Sequence, residues 1–121
     1  MRILVVEDEI LIQMLAVQYL EDAGFVAETA DSAAEALDKL HSAKGEVSGI
    51  VLDIGLPDRG GDVLTREIRT LYPSVPIVLA TGHWRQDFQS VVDGNRGIAF
   101  LSKPYSADGL ISALREAGVP K

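Results

Sequence analysis

The sequence contains no cysteine, so it has neither a disulfide framework nor a thiolate metal site, which fits a reducing cytosol. It is poor in positive charge: 11 Lys and Arg stand against 18 Asp and Glu, for a formal net charge of −7. The basic residues are scattered, whereas a surface that tracks nucleic-acid phosphates needs clustered cations to release counterions. Nucleic-acid binding is therefore not expected, and a cation or a basic partner is. No window approaches eighteen uncharged apolar residues, and no signal-peptide cleavage pattern follows the first residues. Neither membrane insertion nor export is expected, and the cytoplasm is the expected location. A glycine-rich phosphate loop is also missing: no Gly-x-x-x-x-Gly-Lys-Ser/Thr occurs, and Glu7-Asp8-Glu9 stands where a nucleotide- or flavin-binding module needs Gly, Ser or Thr.

What is present is an apolar fraction of 47% over 121 residues, enough for one domain, 1–121, with a substantial core. Ile50, Val51 and Leu52 form a run without a polar partner, which reads as a strand buried on both faces. The run surfaces at Asp53 and is broken by Gly55 and Pro57. Four further runs read as strands: Arg2 to Val6, Phe25 to Ala30, Pro76 to Thr81 and Ile98 to Leu101.

Helical spacing fills the intervals. Ile10 to Ala23 closes at Gly24, with Ile12, Leu15, Ala16, Tyr19 and Ala23 expected inward. A second apolar line, Ile10, Met14 and Val17, reads as deeper burial or, alternatively, as a docking surface for another protein. Ser32-Ala-Ala-Glu35 is a capping box that starts a helix at Ala33, burying Ala33, Leu37 and Leu40. A third helix, from about Asp62, is expected to turn Val63, Leu64, Ile68 and Leu71 inward before Tyr72 and Pro73 stop it. Gly82 to Asn95 is the weakest helix, and Ser106 caps a last one over Ala107 to Ala117.

Alternating strands and helices imply right-handed crossovers and a parallel sheet, with all carboxyl ends along one edge. The sequence places Glu7, Asp8, Asp53, Thr81 and Lys103 on that edge. Taken singly these residues have plain structural uses: Asp53 and Asp8 suit caps, and Glu9 suits the first turn of a helix. Taken together they suit phosphoryl chemistry. Acids hold a hard cation such as Mg²⁺, a carboxylate can accept a phosphoryl group, and a hydroxyl and an ammonium can bind its oxygens.

Four motifs, Val5-Val6-Glu7-Asp8-Glu9, Asp53 with Pro57 and Gly61 beyond it, Ala80-Thr81-Gly82, and Lys103-Pro104-Tyr105, resemble the response-regulator receiver domain of bacterial two-component systems. The resemblance covers the whole chain. It implies a CheY-like, flavodoxin-like (βα)5 fold, an α/β doubly wound parallel sheet of five strands in the order 2-1-3-4-5. It also implies that Asp53 is the phosphoacceptor, that Asp8 binds Mg²⁺ directly and Glu7 through water, and that the Gly55 carbonyl completes the metal site. Thr81 is then the switch hydroxyl, Lys103 its ion-pairing partner, and Phe100 the aromatic whose rotamer reports activation, unless it is simply core. The Lys103–Pro104 peptide is expected to be cis.

The implied partners are a sensor histidine kinase or a phosphotransfer protein, with a downstream protein unspecified and the chain a monomer or a phosphorylation-dependent dimer. The chain is not expected to be a turnover enzyme. A phosphohydrolase on the same fold would carry a second acid two residues after the nucleophile, where this chain has Gly55. A receiver-like module that no longer accepts phosphate and only binds protein is the remaining alternative. His83 and Trp84 are an unusual pair after Gly82, and the weak helix behind them resembles single-domain members of the family. No output domain is expected within this chain, whether it is a whole protein or a piece of a longer regulator.

Overall fold

Five apolar stretches pair side by side as β1 (Arg2–Val6), β2 (Val26–Ala30), β3 (Gly49–Asp53), β4 (Ile77–Thr81) and β5 (Ile98–Ser102). All pairs are parallel and the order is β2-β1-β3-β4-β5, as the resemblance implied. The computed structural model describes residues 1–82 and 97–120. Within them the helices are α1 (Ile10–Asp22), α2 (Ala33–Ser42), α3 (Gly61–Leu71) and α4 (Ala107–Ala117). The helix expected over Gly82 to Asn95, with His83 and Trp84, falls outside the described residues beyond Gly82. Among the described residues no helix is long and apolar enough to cross a membrane.

Side chains alternate across each strand, so the sheet feeds two cores. Leu4, Val6, Ile50, Leu52, Ile77 and Leu79 meet Ala33, Ala36 and Leu40 of α2 and Leu64 and Ile68 of α3. Ile3, Val5, Val51, Val78 and Ala99 meet Ala16 and Leu20 of α1 and Leu110, Ala113 and Leu114 of α4. The residues of β3 are buried on both faces, which explains its unbroken apolar run.

The element ends follow local chemistry. Ser32 accepts a hydrogen bond from the Glu35 N–H and starts α2, and Ser106 does the same for Gly109 and α4. Gly118, at φ 115°, ends α4 in the left-handed conformation that side chains resist.

Several expected faces are corrected. α1 buries Gln13, Ala16 and Leu20, while Ile10 and Met14 are each 61% exposed and Leu15 is 52% exposed. The second apolar line is therefore not deeper burial. α1 is apolar almost all round, so its spacing admits several stripes and only the sheet selects one. In α3, Val63 and Leu71 face outward and Thr65 turns inward, donating its hydroxyl to the Gly61 carbonyl at 2.6 Å. In α2 it is Ala36 that is fully buried, with Leu37 only partly so.

Candidate functional site

Parallel register brings the strand ends level: Val6 pairs with Leu52, Asp53 with Ala80 and Thr81 with Ser102. Glu7 follows β1 directly and is buried, Asp8 beside it is exposed, and Asp53 is the buried last residue of β3. Lys103 follows β5 and reaches back over the sheet edge. Its Nζ donates to Glu7 Oε1 at 2.7 Å and to Asp53 Oδ1 at 2.9 Å. Its own N–H donates to the Thr81 carbonyl at 2.7 Å, so the lysine is tied to the end of β4 as well. Thr81 is half-buried at that end. The Lys103–Pro104 peptide is cis.

The loop after Asp53 is equally constrained. Gly55 N–H donates to Asp53 Oδ1 at 3.2 Å, and Leu56 is buried beneath it. Among the described residues a Cβ on Gly55 would stand 4.0 Å from Asp53 Oδ2 with nothing nearer, so none of them crowds this side of the carboxylate. Gly61 is the opposite case: a Cβ there would lie 2.5 Å from Ile54 Cα and 3.1 Å from the Asp53 carbonyl oxygen. The first residue of α3 must be glycine for the helix to seat this closely behind Asp53.

Two buried acids and one ammonium share the site, and their titration is coupled. Burial pushes the Glu7 carboxyl up to about 7, against the hydrogen bond from Lys103. Burial acts on Asp53 in the same direction, but the hydrogen bonds it makes, chiefly from Lys103, outweigh it and hold Asp53 below its ordinary value. Lys103 is pulled down by burial and more than restored by its two carboxylates, ending above its ordinary value. The arrangement at neutral pH is thus an ionised Asp53, a charged Lys103 and a Glu7 close to its midpoint.

Carboxylate oxygens of Glu7, Asp8 and Asp53 all lie within 4.8 Å of one another. An all-oxygen set of this size suits a hard divalent cation rather than a soft one. With two of the three acids buried, a cation would relieve the repulsion that Lys103 offsets now. The donor set fits Mg²⁺.

Of the residues expected at the site, Glu7, Asp8, Asp53 and Lys103 converge, Gly55 stands beside them, and Thr81 occupies the neighbouring strand end. Phe100 lies two residues before the end of β5, half-buried against the core under α2 and α3. Two contributors had no place in the sequence reading. Gln13 Nε2 donates to the Glu7 carbonyl and to Asp31 Oδ1, each at 2.9 Å. Asp58 accepts from the N–H groups of Ala33 and Ala34 at 2.9 and 3.0 Å, capping α2 from the loop after Asp53, and these bonds hold its carboxyl below its ordinary value. Gln13 could have been suspected, because it falls in register with Ala16 and Leu20. Asp58 carries no such signal, since its partners are 24 and 25 residues away.

A groove of about 290 Å³ opens beside the site, lined by Ile12, Leu15 and Tyr19 of α1 and by Lys103, Pro104 and Tyr105. Burial pushes the Tyr105 phenol up to about 12, so the phenol itself stays neutral.

The model of the response regulator receiver domain family matches residues 3–115. The chain is 31% identical over 114 residues to the sensor kinase CckA of Brucella abortus, covering 94% of this chain and 12% of that protein. It is 35% identical over 118 residues to the C4-dicarboxylate transport transcriptional regulatory protein DctD of Rhizobium meliloti, covering 95% of this chain and 25% of that one. The chain thus spans a quarter or less of the length of these curated relatives. Among solved structures, the chemotaxis protein CheY4 of Vibrio cholerae superposes with a TM-score of 0.85 at 26% identity, covering 96% of this chain and 97% of that one.

Proposed function

Because the chain belongs to the response regulator receiver domain family, we propose that it is the phosphoacceptor of a two-component pathway, with Asp53 taking a phosphoryl group from the phosphohistidine of a kinase or phosphotransfer protein. The observation that carries this reading is the bridge from Lys103 Nζ to Glu7 and Asp53 within a three-acid cluster. An isolated buried acid needs only a counter-ion, whereas this set matches what phosphoryl transfer asks of a protein: a nucleophile, charge neutralisation and donors for the phosphoryl oxygens.

Oδ1 of Asp53 is occupied by Lys103 and Gly55 N–H, so Oδ2, on the uncrowded side at Gly55, is the nucleophile. It attacks phosphorus in line: the new O–P bond forms as the P–N bond breaks, and the electron pair leaves with the imidazole nitrogen. Mg²⁺, held by Asp8, Asp53, the Gly55 carbonyl and, through water, Glu7, supplies charge neutralisation when bound. Lys103 turns from the carboxylates to a phosphoryl oxygen, and the Thr81 hydroxyl donates to another. These contacts exist only in the phosphorylated form and tip a two-state surface. Attack by water reverses the modification, so the domain resets itself without being a turnover enzyme.

The phosphodonor protein docks along the groove of Ile12, Leu15, Tyr19 and Tyr105, which ends at Lys103. Leu15→Asp is then expected to slow transfer from the cognate kinase while leaving labelling by a small phosphodonor intact. Equal loss of both reactions argues against this docking face.

The proposal is tested by intact mass after incubation with phosphoramidate, with Mg²⁺ or with a chelator. One phosphoryl group per chain is expected in the wild type with Mg²⁺, and none with chelator or in Asp53→Asn. No labelling of the wild type, or equal labelling of Asp53→Asn, overturns the reading and leaves a protein-binding module as the better account.

A further inference from the structure

We propose that Gln13 is a positioning residue for the acidic loop: its amide, braced by Asp31, fixes the peptide joining Glu7 to Asp8 and thereby sets Asp8 against Asp53. The inference rests on the reading of the site as a Mg²⁺-dependent acceptor.

Gln13 is the one polar residue on the buried stripe of α1, 7% exposed and in line with Ala16 and Leu20. A glutamine in that position costs folding free energy unless its amide is satisfied. Both amide hydrogens are used, on the Glu7 carbonyl and on Asp31 Oδ1, each at 2.9 Å. Because both partners are acceptors, the orientation of the amide is dictated by them rather than free to flip.

The carbonyl it holds belongs to the peptide unit that links the two acids. That unit is planar, so fixing its oxygen fixes the direction in which Asp8 leaves it. The other sides of Glu7 are fixed too: its N–H donates to the Ala30 carbonyl at 3.0 Å, and its Oε2 accepts from Glu9 N–H at 3.2 Å. Asp8 itself is exposed, unlike the buried Glu7 before it. Its placement is inherited from its neighbours, and Gln13 is the side chain that reaches them from a helix.

Asp31 gives this brace a second meaning. It stands two residues before α2, and the first two N–H groups of α2, those of Ala33 and Ala34, are held by Asp58 from the loop that follows Asp53. The corner Asp31 to Ala34 therefore carries the Glu7–Asp8 loop on one side and the Asp53–Asp58 loop on the other. The gap between Asp8 and Asp53 is set by this shared support. Mg²⁺ demands near-ideal octahedral oxygens at about 2.0–2.1 Å, so it is sensitive to small displacements between the two loops.

Gln13→Met keeps the volume, leaves no unsatisfied amide and removes both hydrogen bonds. If Gln13 only fills space, Met changes stability alone. The positioning role predicts Mg²⁺ affinity about tenfold weaker by calorimetry on the unphosphorylated full chain, the scale seen when supports behind metal ligands are removed. Asp31→Asn, an exposed change that leaves the core intact, is expected to weaken Mg²⁺ binding less, in the same direction, and to add nothing in the Gln13→Met background. Normal Mg²⁺ affinity in Asp31→Asn and in folded Gln13→Met, beside a wild type that binds, overturns the inference. A wild type that binds no Mg²⁺ overturns the proposed function instead, and this inference with it.

Discussion

Lys103 and Arg69 sit part-buried at opposite ends of the same sheet, and their partners differ in kind. Lys103, at the carboxyl edge, is held by two carboxylates, and their charge raises it above its ordinary value. Arg69, at the amino edge, meets only backbone among the described residues: Nη1 donates to the carbonyls of Tyr72, Pro73 and Val75 at 3.3, 3.0 and 2.7 Å, and Nη2 to Gly97 at 3.4 Å. With no counter-charge in that set, burial pulls it below its ordinary value. Arg69 ties the end of α3 to the starts of β4 and β5 through carbonyls that carry no charge to exchange. The partners of Lys103 are groups that a proton, a cation or a phosphoryl group also binds. One cation closes the fold, and the other is poised to change partners.

The sharpest way to break this contrast is to delete each cation. Lys103→Met is expected to slow Asp53 phosphorylation by about 10²–10³-fold, the usual cost of losing one preorganised donor to developing charge. Its unfolding free energy changes little, because Glu7, already near its midpoint, takes up a proton in place of the lost charge. Arg69→Met is expected to show the reverse: about 1–2 kcal/mol lost in denaturant unfolding as the Val75 carbonyl loses its side-chain donor and the tie between α3, β4 and β5 is cut, with unchanged phosphorylation of the folded protein. Two variants that lose activity and stability together would erase the distinction.

Gly61→Ala tests a position that serves both roles. The new methyl meets Ile54 Cα and the Asp53 carbonyl, so about 2 kcal/mol of stability is expected to go, together with Mg²⁺ affinity. The smallest effect is in pH. Glu7 binds its proton more tightly folded than unfolded, since its value rises from 4.5 to about 7. Its contribution is complete below pH 4.5 and is lost as pH rises to about 7. Unfolding of the Mg²⁺-free protein is therefore expected to become easier across that window, and Glu7→Gln is expected to remove that part of the slope.

Much of this edge was readable because a buried strand that ends in charge leaves little choice. Val5-Val6 before Glu7-Asp8, Leu52 before Asp53 and Leu101 before Lys103 each change from apolar to ionisable within a residue or two, and parallel topology then aligns them. The faces of α1 and the ends of α3 were not readable. α1 offers apolar residues in every direction, so only contact with the sheet distinguishes Ala16 and Leu20 from Ile10 and Met14. Val63 and Leu71 keep helical spacing yet lie off the narrow stripe that α3 buries. The braces escaped for a different reason: a Gln within a helix and an Asp within a turn both read as solvated. Their partners, Glu7 and Asp31 for one and the N-terminus of α2 for the other, are set by tertiary structure.

The most direct measurement is a two-dimensional amide and lysine ¹⁵N spectrum of the full chain, titrated with beryllofluoride as a phosphoryl mimic in the presence of Mg²⁺. The account predicts saturable, Mg²⁺-dependent shifts at Glu7, Asp8, Gly55 and Thr81 and at the Lys103 ammonium, as Lys103 exchanges its carboxylates for the mimic, and none of them in Asp53→Asn. Shifts of the same size in Asp53→Asn, or a Lys103 signal that never leaves its Glu7 and Asp53 environment in the wild type, would contradict it.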